Sequence, residues 1–502
     1  MSQHTDALWD QAHAFMPYPA SPVAHAATGP LSGLSFAAKD IYHVKGYPTS
    51  GGQPMLMALW GVQDRSAPVV QSLLDAGARF VGKTVTDELA FSMNGQNAHY
   101  GAPINGAVAE RISGGSSSGS ASAVSNRLCD FALGSDTGGS VRAPANHCGL
   151  VGMRPSQGRI SLQDTMALSP SLDTCGWFAR DVYTFARVAD VLLGQDAQPL
   201  PDHIRLLAPS DMWALATPGA LKALKPVRQK IEQCLGKAKP VRVMNTDLDT
   251  MYWHFRAIQG REAWDVHGGF LQRFRPVLGA AVAQRFDWSS KVTDEQVAKA
   301  RAFRDVWRTH MQQILGTDGV LLMPTMPDVA PLIRQTDAEL EVYRNRATSL
   351  LCVAGMAGLP QVSLPLANGK TIHLTTFSRG QFFGEMSFLD GRAHSADVYA
   401  TRETELIAID RKAFATVAAG DPVMSISVMR AVALALDVPV AESDRVWRHI
   451  DAAVNAAAQS VPVQARGQRV YFEVSPAPYG ASESSFMGET LTRMGVANIL
   501  PA

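Results

Sequence analysis

The serines within residues 113–142 are the side chains of this sequence best placed for covalent chemistry. The stretch reads SGGSSSGSASAVSNRLCDFALGSDTGGSVR, two Gly/Ser turns around one short apolar run. Gly-Gly-Ser occurs at Gly114-Gly115-Ser116 and again at Gly138-Gly139-Ser140, and glycine lets main-chain N–H groups approach a ligand that a Cβ would crowd. One such turn is ordinarily a flexible loop. Two of them flanking a strand-like FALG at 131–134 ask for a shared purpose.

Three chemistries compete for these serines. Gly115-Ser116-Ser117-Ser118-Gly119 matches G-x-S-x-G with Ser117 at its centre, but a nucleophile elbow follows a buried strand, and the AVAERIS before it is short and polar. A phosphate cradle would need G-x-x-x-x-G-K-[ST], which is absent. The third reading makes Ser140 a nucleophile at the end of a strand and turn, with a lysine as the ultimate base. Lys39 interrupts the apolar run LSFAAKDIY at 34–42. Such a lysine ordinarily snorkels outward or pairs with a carboxylate; buried, it loses affinity for its proton and can accept one. Successive N–H groups of Thr137, Gly138, Gly139 and Ser140 would form a nest for a developing oxyanion, each donor worth roughly 3 kcal/mol. Asp136 and Arg142 would brace that turn.

The elements that must position these residues read as α/β. LSFAAKDIY is a buried strand, and APVVQSLLDAGARFVGKT (67–84) is a helix stopped at Gly77 and followed by a strand. CGLVGMRPS (148–156) continues the alternation, and GWFARDVYTFARVADVLL (176–193) reads as a helix. Residues 1–30 begin with a short helix and an irregular lead-in. Residues 200–310 read as mostly helical, with RAIQGREAWDVHGGFLQRF and DEQVAKARAFRDVWRTHMQQIL the clearest amphipathic segments. DGVLLMPTMP (318–327) reads as a buried strand, and SLLCVAGMAGLPQVSLPLA (349–367) as a helix turning into a strand.

Bulk properties narrow the partners. The chain has 502 residues, 46% of them hydrophobic, enough for one large core or two to three ordinary ones. Lys+Arg and Asp+Glu are both 45, so no nucleic-acid footprint is expected, and no apolar run is long enough to cross a bilayer. The N-terminal MSQHTDALWDQAHAF lacks a basic start and apolar core, so a cytoplasmic location is expected. Five scattered cysteines fit neither a disulfide framework nor a CxxC metal site.

GGSSSGSASAV, ALGSDTGGSVRAPANHCGLVGMRPS and the upstream FAAKDIYHVKGYPTSGG together resemble the amidase signature family, over about residues 30–367. The resemblance implies a mixed β-sheet core covered by helices and a hydrolase of linear amides that needs no cofactor or metal. Residue by residue, Ser140 matches the acyl-forming nucleophile, Ser116 the bridging serine that follows a cis peptide (here at Gly115), and Lys39 the general base. The implied partners are a small-molecule amide and water. GKTVTDELAFSMNGQNAHYGAPIN (82–105) resembles the segment that shapes the substrate side. With SLDTCGWFARD, the overall wording is most similar to the branch that hydrolyses aryl-acetamides such as indole-3-acetamide. The oligomeric state stays open, a homodimer included.

The resemblance stops near residue 368, where family members add further sheet strands and a closing helix. Here HLTTFSRGQFFGEMSFLDGRAHSADVYATRETELIAIDRKAF resembles the second half of a cyclic-nucleotide-binding β-roll, within a β-rich segment at 369–440. Glu385, within Gly384-Glu385, matches that family's ribose-contacting glutamate, but His394 stands where its phosphate-binding arginine belongs, and the first strands of the roll are missing; nucleotide binding is not expected. Residues 441–502 resemble part of a periplasmic cobalamin- or siderophore-binding lobe, an α/β fragment. The expectation is an amidase domain at 1–368 followed by two partial segments without independent function. A catalytically impaired fusion with a binding role is the alternative, and residues 371–378 alternate in a way that could replace the missing strand.

Overall fold

The computed structural model describes residues 10–196, 199–201 and 203–365, all in the first of two units, Met1–Asn368 and Gly369–Ala502. The opening helix expected at the very start of the chain, the segments at 369–440 and 441–502 with Gly384 and Glu385, and any strand at 371–378 lie outside the described residues.

Among the described residues the chain forms nine strands: β1 (Ser35–Lys39), β2 (Arg79–Thr84), β3 (Phe131–Ser135), β4 (Val151–Arg154), β5 (Cys175–Ala179), β6 (Arg205–Pro209), β7 (Lys239–Val241), β8 (Gly319–Leu321) and β9 (Gln361–Ser363). Six make one mixed sheet in the order β2-β1-β3-β5-β4-β9. β1 runs parallel to β2 and β3, and the remaining pairs are antiparallel. Every residue of β1, β3 and β5 is buried, which is why these strands read as apolar runs and not as alternations.

The two faces of this sheet are filled differently. On one, Phe36 lies 5.5 Å from both Phe80 and Phe131, and helices Pro68–Asp75 and Val182–Leu193 pack Val70, Leu73 and Val188 into the same core. On the other, Ala37, Ala132 and Phe178 meet Ala121, Ala123 and Val124 of helix Ser118–Ser125 and Val141 and Ala145 beside and within helix Arg142–His147. Small residues there let the two helices that flank the serine turns lie close to the strands.

The run at 176–193 is not one helix. Its first residues form β5, paired with both β3 and β4, and the helix starts only after Asp181, whose carboxylate accepts from Thr184 N–H at 2.7 Å. Pairing on both edges overrides helical periodicity, and the N-cap marks the switch. β6 and β7, short strands inside the stretch that reads as helical, join β8 in a separate parallel sheet, β7-β6-β8. β8 is only half-buried, because it stands at that sheet's edge.

The helices Leu248–Phe274 and Asp294–Leu315 begin at side-chain caps, Asp247 to Thr250 N–H and a Thr293/Gln296 capping box. With helix Asp337–Ala357 they bury Phe255, Ile258, Trp307, Leu350 and Met356 in a second core. Cys129, Cys148, Cys175 and Cys352 are buried free thiols and Cys234 is an exposed one.

Candidate active site

Parallel pairing brings the C-terminal ends of β1 and β3 together, Ala38 opposite Leu133. Lys39, the last residue of β1, is fully buried. Its Nζ donates to Ser116 Oγ at 2.7 Å and to Ser135 Oγ at 2.8 Å. Burial pulls its pKa down to about 7, and the more distant carboxylates of Asp87, Asp173 and Asp136 offset this only in part. Lys39 therefore does not snorkel.

Ser116 follows a cis peptide bond from Gly115. Its carbonyl accepts from Asp87 N–H at 3.0 Å and from Thr86 Oγ1 at 2.9 Å. A Cβ on Gly115 would lie 2.2 Å from Asp87 Oδ2, so only glycine fits there. Asp87 is itself fully buried; burial pushes its carboxyl up, and Gly95 N–H and the charge of Lys39 pull it back.

The second serine turn is built around Asp136. Its carboxylate accepts from the N–H groups of Gly139, Val141 and Arg142 at 3.0–3.2 Å. It also takes a two-pronged pair from Arg142, at 3.0 and 2.7 Å, and a contact from Arg154 Nη1 at 3.3 Å. Burial alone would raise this carboxyl; the two guanidiniums and the hydrogen bonds outweigh it and hold the group well below the usual carboxylate range. Arg142 Nη1 continues to Leu351 O at 2.8 Å and to Gln361 Oε1.

This bracing changes the expected oxyanion nest. Gly139 N–H is given to Asp136 and is not free for a ligand, whereas the N–H groups of Thr137, Gly138 and Ser140 take no acceptor from the described residues. Gly139 is needed for another reason: its φ is +121°, and a Cβ would lie 2.4 Å from Leu351 Cδ1.

Ser140 is nearly buried and lines a cavity of about 40 Å³ with Gly138, Phe255 and Gln259. A larger cavity of about 230 Å³ opens on the Thr137 side, among Ile41, Leu162, Met166 and Leu168. Ala90, whose φ is +56°, lines both. Among the described residues no hydrogen bond joins Ser140 Oγ to Ser116 Oγ. The bonded chain runs from Lys39 to Ser116 and stops there.

Ser117, the centre of the elbow-like pattern, is tied to the backbone of Ser135, accepting from its N–H at 3.2 Å and donating to its carbonyl at 3.3 Å. Three residues at the site escaped the sequence reading: Ser135, Asp87 and Asp173. Asp173 accepts from Thr137 Oγ1 at 2.5 Å. The available signals were the polar residue ending an otherwise apolar strand and the acids inside the TDELAFSMNG and SLDTCGW stretches.

Comparison with known proteins gives the site a context. Residues 6–225 match the family model described as Amidase, and residues 357–421 match that of the cyclic nucleotide-binding domain. The chain is 37% identical to Amidase 1 of Arabidopsis thaliana over 69% of its own length and 88% of the relative's. It is 32% identical to the chloroplastic outer envelope protein 64 of the same plant, over 74% and 67%. A solved structure described as "Crystal structure of amidase" shares a TM-score of 0.61 at 29% identity, covering 67% of this chain and 78% of that one.

Proposed function

Since the chain belongs to the amidase family and is an amide hydrolase, we propose that it cleaves a small carboxamide through a seryl acyl-enzyme on Ser140. The observation that carries this reading is Lys39, a fully buried amine bonded to Ser116 with its pKa pulled down to about 7 by burial. At neutral pH a large share of such a lysine is an amine able to accept a proton.

Ser140 Oγ adds to the amide carbon while its proton passes to Ser116 and the Ser116 proton passes to Lys39 Nζ. The carbonyl oxygen, now an anion, is received by the N–H groups of Thr137, Gly138 and Ser140. Collapse breaks the C–N bond, and the amine leaves with the proton that Lys39 returns through Ser116. Water then adds to the acyl carbon as it gives a proton to Ser116 and through it to Lys39; the C–Oγ bond breaks, the same relay returns that proton to Ser140 Oγ, and the carboxylic acid departs. The relay requires the Ser140 hydroxyl to turn toward Ser116 when substrate binds.

The apolar cavity among Ile41, Leu162, Met166 and Leu168 suits the side chain of an aryl-acetamide, and indole-3-acetamide and phenylacetamide are the first substrates to assay for ammonia release. Covalent labelling by a fluorophosphonate, mapped by mass spectrometry, tests the nucleophile. A label on Ser140 that disappears in Ser140→Ala is expected; a folded protein without label, or one labelled equally after the substitution, overturns the reading. A catalytically silent core is favoured by one observation, the unmade Ser116–Ser140 bond, and the same labelling decides between the two.

A further inference from the structure

The small cavity beside Ser140 carries positive charge that the surrounding protein answers only in part: Glu341 pairs with Arg344, and the Arg256 guanidinium lies 5.0 Å from the Trp288 ring and 5.9 Å from that of Tyr252. Arg256, from helix Leu248–Phe274, and Arg344, from helix Asp337–Ala357, line it together with Ser140 and Gly138. Arg285 stands next to them, with Nη1 donating to Phe91 O at 2.9 Å. Among the described residues, the one carboxylate within ion-pair distance of any of the three is Glu341, 2.5 Å from Arg344 and 3.9 Å from Arg285. The Glu341 side chain is 46% exposed, so its charge is shared with solvent.

The hydrogen-bond inventory of the cavity is also incomplete. The Nε atoms of Arg256 and Arg344 are both buried without an acceptor, although Arg344 is only 8% exposed. A buried N–H left unpaired costs its full desolvation. Burial, and then the charge of Arg344, makes Arg256 and Arg285 hold their protons less firmly than ordinary guanidiniums, Arg285 down to about 9. Guanidinium forks fit planar oxyanions, and a volume of about 40 Å³ admits a group of carboxylate size, since one water needs roughly 10–15 Å³.

We propose that Arg256 and Arg344 receive a carboxylate carried by the substrate, so that the amide cleaved at Ser140 belongs to an anionic carboxamide. This rests on the hydrolase reading above and adds a second recognised end to the substrate. The apolar part lies on the Thr137 side of the turn and the anion on the Ser140 side.

Two matched pairs of amides test it. Succinamate against pentanamide places the anion on the acyl side, and N-phenylacetylglycine against N-propylphenylacetamide places it on the amine side. In at least one pair the anionic member is expected to show a kcat/KM at least tenfold higher, and Arg256→Gln and Arg344→Gln are each expected to cut that ratio at least tenfold, mainly through KM. Arg344→Gln also severs the Glu341 pair; Arg256→Gln breaks no ion pair and keeps the test open should the other variant not fold. No preference for the anion in either pair, or a preference that survives both substitutions, overturns the proposal. Fluorophosphonate labelling of the unaltered protein separates the two failures: a labelled Ser140 with no anion preference sinks the arginine pocket alone, and an unlabelled one sinks the hydrolase reading with it.

Discussion

Lys39 Nζ sits 2.7 Å from Ser116 Oγ with no carboxylate of the described residues in ion-pair contact, while Lys83, on the neighbouring strand, sits 2.8 Å from Asp40. Lys39 ends β1, Lys83 stands one residue before the end of the parallel neighbour β2, and both are buried. Burial lowers the pKa of both, and at Lys83 the Asp40 charge opposes it directly. One strand thus carries an ion pair near its end, and the other ends in an amine bonded to two hydroxyls.

Hydrolysis should consequently follow the protonation of Lys39. Because its folded-state pKa is about 7, kcat/KM is expected to fall about tenfold per pH unit below that value and to level off above it. Lys39→Met should abolish turnover. A profile with no acid limb near pH 7, or a Lys39→Met variant with full activity, would remove the lysine from the mechanism.

The same shift makes a stability prediction. Between about 7 and the ordinary lysine value of 10.5, the unfolded chain holds a proton at Lys39 that the folded chain has released. Folding stability from this group therefore rises with pH across that window. The difference in Tm between the unaltered protein and Lys39→Met, measured from pH 7 to pH 10, should shift in favour of the unaltered protein as pH rises.

Ser135→Ala removes one of the two acceptors that favour protonated Lys39. A hydrogen bond to a charged group is worth about 1.5 kcal/mol or more, about one pKa unit. The acid limb should therefore move down by about one unit, raising activity at pH 6 relative to pH 8. A limb that stays in place would show that Ser135 does not hold the proton.

Asp136→Asn leaves Arg142 and Arg154 buried beside a neutral partner. Breaking a buried pair from one side costs about 3–5 kcal/mol, read as a lower midpoint in urea, with loss of Ser140 labelling as the turn loosens.

Gly139→Ala forces a side chain into φ +121° and against Leu351. The expected cost is more than about 1 kcal/mol. Gly139→Ala with Leu351→Ala should recover only part of it, since the space is restored and the backbone angle is not. Full recovery of the denaturation midpoint would show that contact alone sets the requirement.

The residues differ in how readable they were. Ser116, Ser140 and Lys39 stand in motifs whose order along the chain carries information; the contact of Lys39 with Ser116 could be anticipated before any coordinates, whereas among the described residues no hydrogen bond joins Ser140 to that pair. β5 could not be separated from its helix by periodicity, because a five-residue apolar run suits either state and only the partners on both edges settle it. Gly139 illustrates a different limit: its N–H looks like an oxyanion donor in the sequence, and only the position of Asp136 shows that it is already engaged. Arg256 and Arg344 lie 88 positions apart on two helices, and nothing in either helix's pattern announces that both face Ser140.

Arg142 reaches forward 209 residues to Leu351 and 219 to Gln361. A ribosome therefore exposes the nucleophile turn long before it delivers the atoms that pin it. Until β9 emerges, the nascent chain carries Asp136 and Arg142 in a half-finished setting, and contacts so distant along the chain close slowly. The turn that carries the nucleophile therefore waits, during synthesis, on atoms made more than two hundred residues later.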